Sequence, residues 1–397
     1  MKIKQLILLS ITLISFYCCN SKDKLDLLNG SSITKSISLN IMDSVKIPYL
    51  GNPIVHDINP KTNSILFMEF DQFSNDINLV DFDGDKINSF SKFGDIPDGY
   101  GKLLASPILL DNNEVLVYGT NGFIRYDYQG NLISKVKISE LKFPNFKNRL
   151  AMGFGMEKLG DKYLNIEGGS RETVNYDKIN LHPEYFLFNL LDPKTGKSKP
   201  IIQFPNSSIY RSGKYFFRYA WQPVFSVNKN LIFIVFGGEP AIYIYSSNEP
   251  FQLLSKINLD LEDYRYFEGS ENENLEHDFL GMFLSSGRIE NIKKIEDKFL
   301  VAYFEGYKDS DKEIFFAQKK DRNEAIEVRE RLKEKYPTRL AVFDSLGNLL
   351  TILNPEGLEP NSMLLRDGQL WMMEKPDEEV ERDYFRLFRV GLKVENN

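Results

Sequence analysis

Residue types that carry redox, metal or nucleophilic chemistry are scarce in this chain. Its 397 residues include two cysteines, three histidines and two tryptophans. The cysteines are adjacent, Cys18 and Cys19, so nothing after them can form a disulfide, and the rest of the chain must be held by packing alone. His56, His182 and His277 are far apart, and none belongs to an i, i+4 metal-binding pair. There is no Gly-x-Ser-x-Gly, no phosphate loop and no dinucleotide fingerprint. Gly237-Gly238 stands between two strands, where a turn is expected. No cofactor and no metal are therefore expected. No arginine-rich block stands against the net charge of −7, which argues against a nucleic-acid partner.

The apolar run Leu6–Phe16 is too short to cross a bilayer. With Lys2 and Lys4 before it and the cysteines after it, the segment reads as an export leader. It resembles a bacterial lipoprotein signal with Cys19 as the lipidated residue, because Cys18 is the small residue such signals place before it. Asn20–Lys24 is polar, and its lysine followed by Asp23 is similar to the surface-export signal of Bacteroidetes lipoproteins. The resemblance implies an outer-membrane lipoprotein of the cell envelope, extending to its outer face. Residues 1–19 are then leader and lipid site, and 20–36 a tether.

What the sequence does have is a rhythm of short apolar runs and turns. Pro53–Phe90 holds four runs, Pro53–Ile58, Ser64–Glu69, Ile77–Asp81 and Lys86–Phe90, the last two joined by Phe-Asp-Gly-Asp, a tight-hairpin signal. The unit recurs: Val80-Asp81-Phe82-Asp83-Gly84 aligns with Tyr126-Asp127-Tyr128-Gln129-Gly130. The second unit begins at Ala105–Leu110, the third at Met152–Lys158 with an insert at Glu167–Pro183, the fourth at Gln222–Val227 and the fifth at Arg288–Ile295. A sixth, from Met363, has three runs, and Ile37–Ile41 is left over at the other terminus. The expected fold is all-β: a single six-bladed β-propeller over 37–397, built of four-stranded antiparallel blades and closed by the N-terminal strand. Within the insert 305–339, Asp321–Tyr336 lacks Gly and Pro and spaces Ala325, Val328 and Leu332 as one helix covering a blade.

The leader, the start Tyr49-Leu50-Gly51-Asn52-Pro53 and the Phe93–Gly101 stretch FGDIPDGYG together resemble a Bacteroidetes lipoprotein family, a domain of unknown function expected to form six-bladed propellers. The resemblance covers most of the mature chain and implies the fold. It brings no catalytic residues.

In a propeller the links between blades gather on one face. Here those links carry Tyr100, Arg211, Arg218, Tyr219, Trp221, Tyr264 and Arg265, aromatic planes beside arginines that suit stacking and directed hydrogen bonds to a ligand. The expected function is a lipid-anchored binding protein for a glycan, a peptide or a partner membrane protein. The alternative is a glycan hydrolase or lyase in the central channel, with His56 and Asp57 as an acid–base pair. A scaffold without a small ligand is the third reading. Asp81-Phe82-Asp83-Gly84-Asp85 invites a calcium loop, but strands flank it where an EF-hand needs helices, so a turn is expected.

Overall fold

The structure, a computed structural model, describes residues 35–69, 75–94, 96–141, 150–167, 185–217, 219–317, 319–376, 380 and 382–396. Six four-stranded antiparallel sheets follow one another along the unit Ser38–Lys393. The first five blades are consecutive meanders. Their inner strands are Pro53–Asn59, Ile108–Leu110, Glu157–Leu159, Pro223–Asn228 and Arg288–Ile295. Blade six takes Leu364–Arg366, Gln369–Met373 and Tyr384–Asn396 from the C-terminal end, and its fourth, outer strand is Lys35–Pro48. The left-over N-terminal run thus supplies the missing strand. Asp43 of that strand pairs with Arg389 of its neighbour.

Burial follows distance from the axis. The second strands, such as Ser64–Glu69 and Glu114–Gly119, are buried along nearly their whole length because neighbouring blades cover both faces. Outer strands such as Lys86–Ser91 are half exposed. The apolar core is accordingly a ring of interfaces. Leu66, Met68 and Leu79 of blade one pack on Leu109, Val117 and Ile124 of blade two, and Val224 and Phe233 of blade four on Ile289 and Phe299 of blade five. Each fully buried Leu or Phe contributes about 1.5–3 kcal/mol.

The repeated Asp and Gly of the outer hairpins have one mechanical role. Asp81 Oδ1 accepts the backbone N–H groups of Asp83 (3.0 Å) and Asp85 (2.9 Å). Asp127 and Asp344 do the same for the second and fourth residues after them. The carboxylate at Asp81 therefore folds the turn. Gly84 has φ +86°, and a Cβ there would stand 2.3 Å from the carbonyl of Lys46, so glycine lets the hairpin of one blade lie against the outer strand of the blade before it.

The expected helix is Arg322–Lys335. Asp321 caps it by accepting the N–H of Glu324, and Leu332 and Val328 pack onto Phe304, Tyr307 and Tyr336. The structure adds two further helices, Phe279–Ser285 and Asp309–Phe316. The first is a seven-residue apolar run with no second turn to show a period, and the second is too polar at its start to show one. The first strand of blade three also differs. Met152–Met156 is not strand, and pairing starts at Glu157. In blade two Pro107 lacks an N–H, and pairing starts at Ile108. The insert 168–184, the link 142–149, His182 and Cys19 lie outside the described residues.

Candidate functional site

The segment that was expected to be the first strand of blade three instead crosses the middle of the ring. The Met152 N–H donates to the carbonyl of Val55 in blade one at 2.6 Å, and the Met152 side chain is buried among residues of blades one and six. Gly153 (φ +84°) is pressed so closely that a Cβ would meet the Met363 carbonyl at 2.6 Å and Asn291 Nδ2 at 2.8 Å. Gly155 lies against Ser106 of the link into blade two. One short stretch therefore touches blades one, two, five and six, and forms a floor across the central opening.

Above this floor is a recess of about 570 Å³. Its walls come from the inner strands and from their first hairpin turns: Lys61 in blade one, Asp111 in blade two and Asp367 in blade six, with Lys158 from the strand of blade three. First hairpins sit at the end of a four-stranded meander opposite to the links between blades. The recess therefore opens away from the face on which the sequence reading placed its ligand residues.

Two inner-strand residues form the deep end. The register between the first two strands of blade one shifts at Val55/Asp57, leaving His56 as the extra residue of a β-bulge that re-aims the side chains. Asp57 is buried, and its Oδ2 accepts the Leu109 N–H of blade two (2.7 Å) while Oδ1 accepts the Ile58 N–H (2.9 Å). Arg366 of blade six places Nη1 3.2 Å from Oδ2 and donates Nη2 to the Leu109 carbonyl at 2.6 Å. Burial pushes the Asp57 carboxyl up to about 6, against the pull of Arg366 and the two N–H groups. The carboxylate is thus a clamp between three blades, with its lone pairs occupied.

His56 is buried with no carboxylate partner among the described residues, and burial pushes it down to about 3. Its Nδ1 lies 3.2 Å from Ser106 Oγ, which reaches the Phe154 carbonyl (3.2 Å) and the Ala151 carbonyl (3.4 Å). With the hydroxyl proton given to a carbonyl, the imidazole proton sits on Nδ1. A base must hold a positive charge after taking a proton, and this site disfavours that charge. His56 and Asp57 are adjacent in sequence, yet they serve separate hydrogen-bond sets.

The charges around the recess are largely matched. Lys61 Nζ contacts both Asp111 (2.8 Å) and Asp367 (3.1 Å). Arg125 Nε donates to Glu114 Oε2 at 2.6 Å. Lys293, nearly fully buried, meets Glu157 Oε1 at 3.2 Å, and the other oxygen of Glu157 accepts the Val227 N–H. Among the described residues no cluster of His, Cys, Asp and Glu forms a metal site.

The residues singled out from the sequence are divided among several packing groups. Tyr100 is fully buried between blades one and two, and its hydroxyl donates to the Asn75 carbonyl at 3.2 Å. Trp221 is 5% exposed and packs edge-on to Tyr185 and Phe204, in the same core as Tyr210, Phe216 and Phe217. Tyr219 (φ +69°) is half-buried, edge-on to Phe279. Tyr264 lies parallel to Tyr266 and donates to the Gly238 carbonyl at 2.9 Å. Arg265 is held by the carbonyl and carboxylate of Asp263, and Arg211 donates to Asn206. Arg218 lies outside the described residues. Tyr100 and Trp221 thus pack into blade ends, whereas Lys61, Asp111, Arg366 and Asp367 line the recess. Sequence reasoning missed Lys61, Asp111, Lys158, Arg366 and Asp367. The one available signal was position: three of them occupy first-hairpin turns.

At the level of sequence, no family model and no curated protein matches the chain. Solved structures do. A member of the duf4221 family from Bacteroides vulgatus superposes with a TM-score of 0.58 at 11% identity, covering 90% of this chain and 99% of its own. At that identity the likeness is one of fold alone. A protein from Bacteroides fragilis, inferred to be exported, covers 92% of this chain and 96% of its own at 11% identity with a TM-score of 0.45. A protein of unknown function from Bacteroides caccae covers 76% and 82% at 13% identity and a TM-score of 0.38.

Proposed function

We propose that this protein is a lipid-anchored propeller of the cell envelope that binds a small polar ligand, a glycan or peptide fragment, in the central recess. The observation that carries the reading is the floored recess itself: about 570 Å³, with charged and hydroxyl side chains from blades one, two, three and six directed to one place. Most of these groups are already fixed by partners, so little ordering cost falls on binding. The leader ending at Cys19 supports the lipid tether. Replacing Cys19 by Ala should release the protein from membranes and abolish palmitate labelling.

The site is tested by a thermal-shift screen of the full chain against saccharides and short peptides. A ligand at 100 times its dissociation constant adds about 2.7 kcal/mol. Lys158→Trp, which fills the mouth, should erase the shift. A shift that persists in Lys158→Trp places the ligand elsewhere.

A further inference from the structure

We infer that the recess takes a small zwitterion, a free amino acid or a dipeptide, an inference that rests on the recess being the ligand site. The ground is an imbalance between its two sides. On one side two cations face three carboxylates: Lys61 bridges Asp111 and Asp367, and Arg366 lies 3.2 Å from Asp57 and 4.0 Å from Asp367. That side carries an excess negative charge. Arg125, in the same blade as Asp111, is matched by Glu114; on the blade-three side Glu157 is matched by Lys293, whereas Lys158 has no carboxylate partner among the described residues. That side carries an excess positive charge.

Asp367 belongs to blade six and Lys158 to blade three, which are diametrically opposed in a ring of six. Both line the same cavity, so the field runs across it from Lys158 to Asp367. A neutral saccharide leaves both ends to water. A molecule with an ammonium at one end and a carboxylate at the other satisfies both, and the volume admits a dipeptide. An ammonium then sits toward Asp111 and Asp367, and a carboxylate toward Lys158.

The experiment is calorimetric titration of the full chain with alanyl-alanine, its N-acetyl form, its C-terminal amide, the doubly blocked form, and glucose. The free dipeptide should bind at least about ten-fold more tightly than either singly blocked form. Lys158→Gln should remove the discrimination against the amide and keep that against the acetyl form. Asp367→Asn should do the reverse. Equal affinity for free and doubly blocked peptide, or no heat from any peptide, overturns the inference. Glucose binding that Lys158→Trp abolishes, without peptide binding, sinks the zwitterion and leaves the recess as the site. Binding of any probe that is indifferent to Lys158→Trp sinks the site assignment, and the zwitterion with it.

Discussion

The backbone N–H of Met152 donates to the carbonyl of Val55 at 2.6 Å, bonding the link between blades two and three to the inner strand of blade one. A propeller channel open at both ends becomes a recess with a floor. Gly153→Ala should disturb this floor most directly, because its Cβ has no room and its φ of +84° is left-handed. The expected loss is about 1–3 kcal/mol, read from the urea midpoint. An unchanged midpoint would show that the crossing segment is not held as described.

Arg366→Gln removes the cation beside buried Asp57 and leaves the carboxylate with its two N–H donors. A loss of about 3 kcal/mol at pH 8 is expected for a broken buried pair. The charge is what becomes costly, so protonation relieves it. The loss should shrink below pH 6, near the value to which burial raises Asp57. A loss independent of pH would mean that the arginine acts by packing alone.

His56 titrates at about 3 in the folded protein against 6.5 when exposed. Between those values the unfolded chain binds the extra proton, so this contribution is fully present above pH 6.5 and is lost as the pH falls toward 3. At pH 5 the cost is about 2 kcal/mol. Asp57 opposes it: a carboxyl raised from 3.8 to about 6 makes the fold gain stability as the pH falls through 6. Comparison with a variant separates the two. His56→Gln should lose less stability than the parent between pH 7 and pH 5 in urea titrations. Parallel curves would refute a buried neutral imidazole.

Trp221→Ala should lower stability by about 3–5 kcal/mol, because the indole is in the core shared by blades three and four. Lys158→Ala, at an exposed position, should change it by less than about 0.5 kcal/mol. A Trp221 variant with an unchanged melting temperature would return that ring to the list of ligand residues.

The blades were legible because their signals are local. In Ser64–Glu69 and Ile77–Asp81 the apolar runs, and in Asp81–Asp85 the Asp and Gly of the turn, specify strand and hairpin within a few residues. The closing strand could be inferred as well, since a blade with three strands leaves an edge that something must cover. Met152–Met156 was misread for the same reason. Its apolar side chains fit an inner strand locally, and the contacts that hold it off the sheet come from Val55, Asn291 and Met363.

The aromatic links showed the opposite limit. Tyr100 and Trp221 are as suited to stacking on a ligand as to filling a core, and only the neighbouring blades make them core. Composition and turn chemistry by themselves determined strands, hairpins, six repeats and ring closure, because those depend on neighbours in sequence. The recess was decided by tertiary structure alone. Asp57 and Arg366 stand 309 residues apart, and closing the ring is the physical event that brings them to 3.2 Å and sets Lys158 across from Asp367.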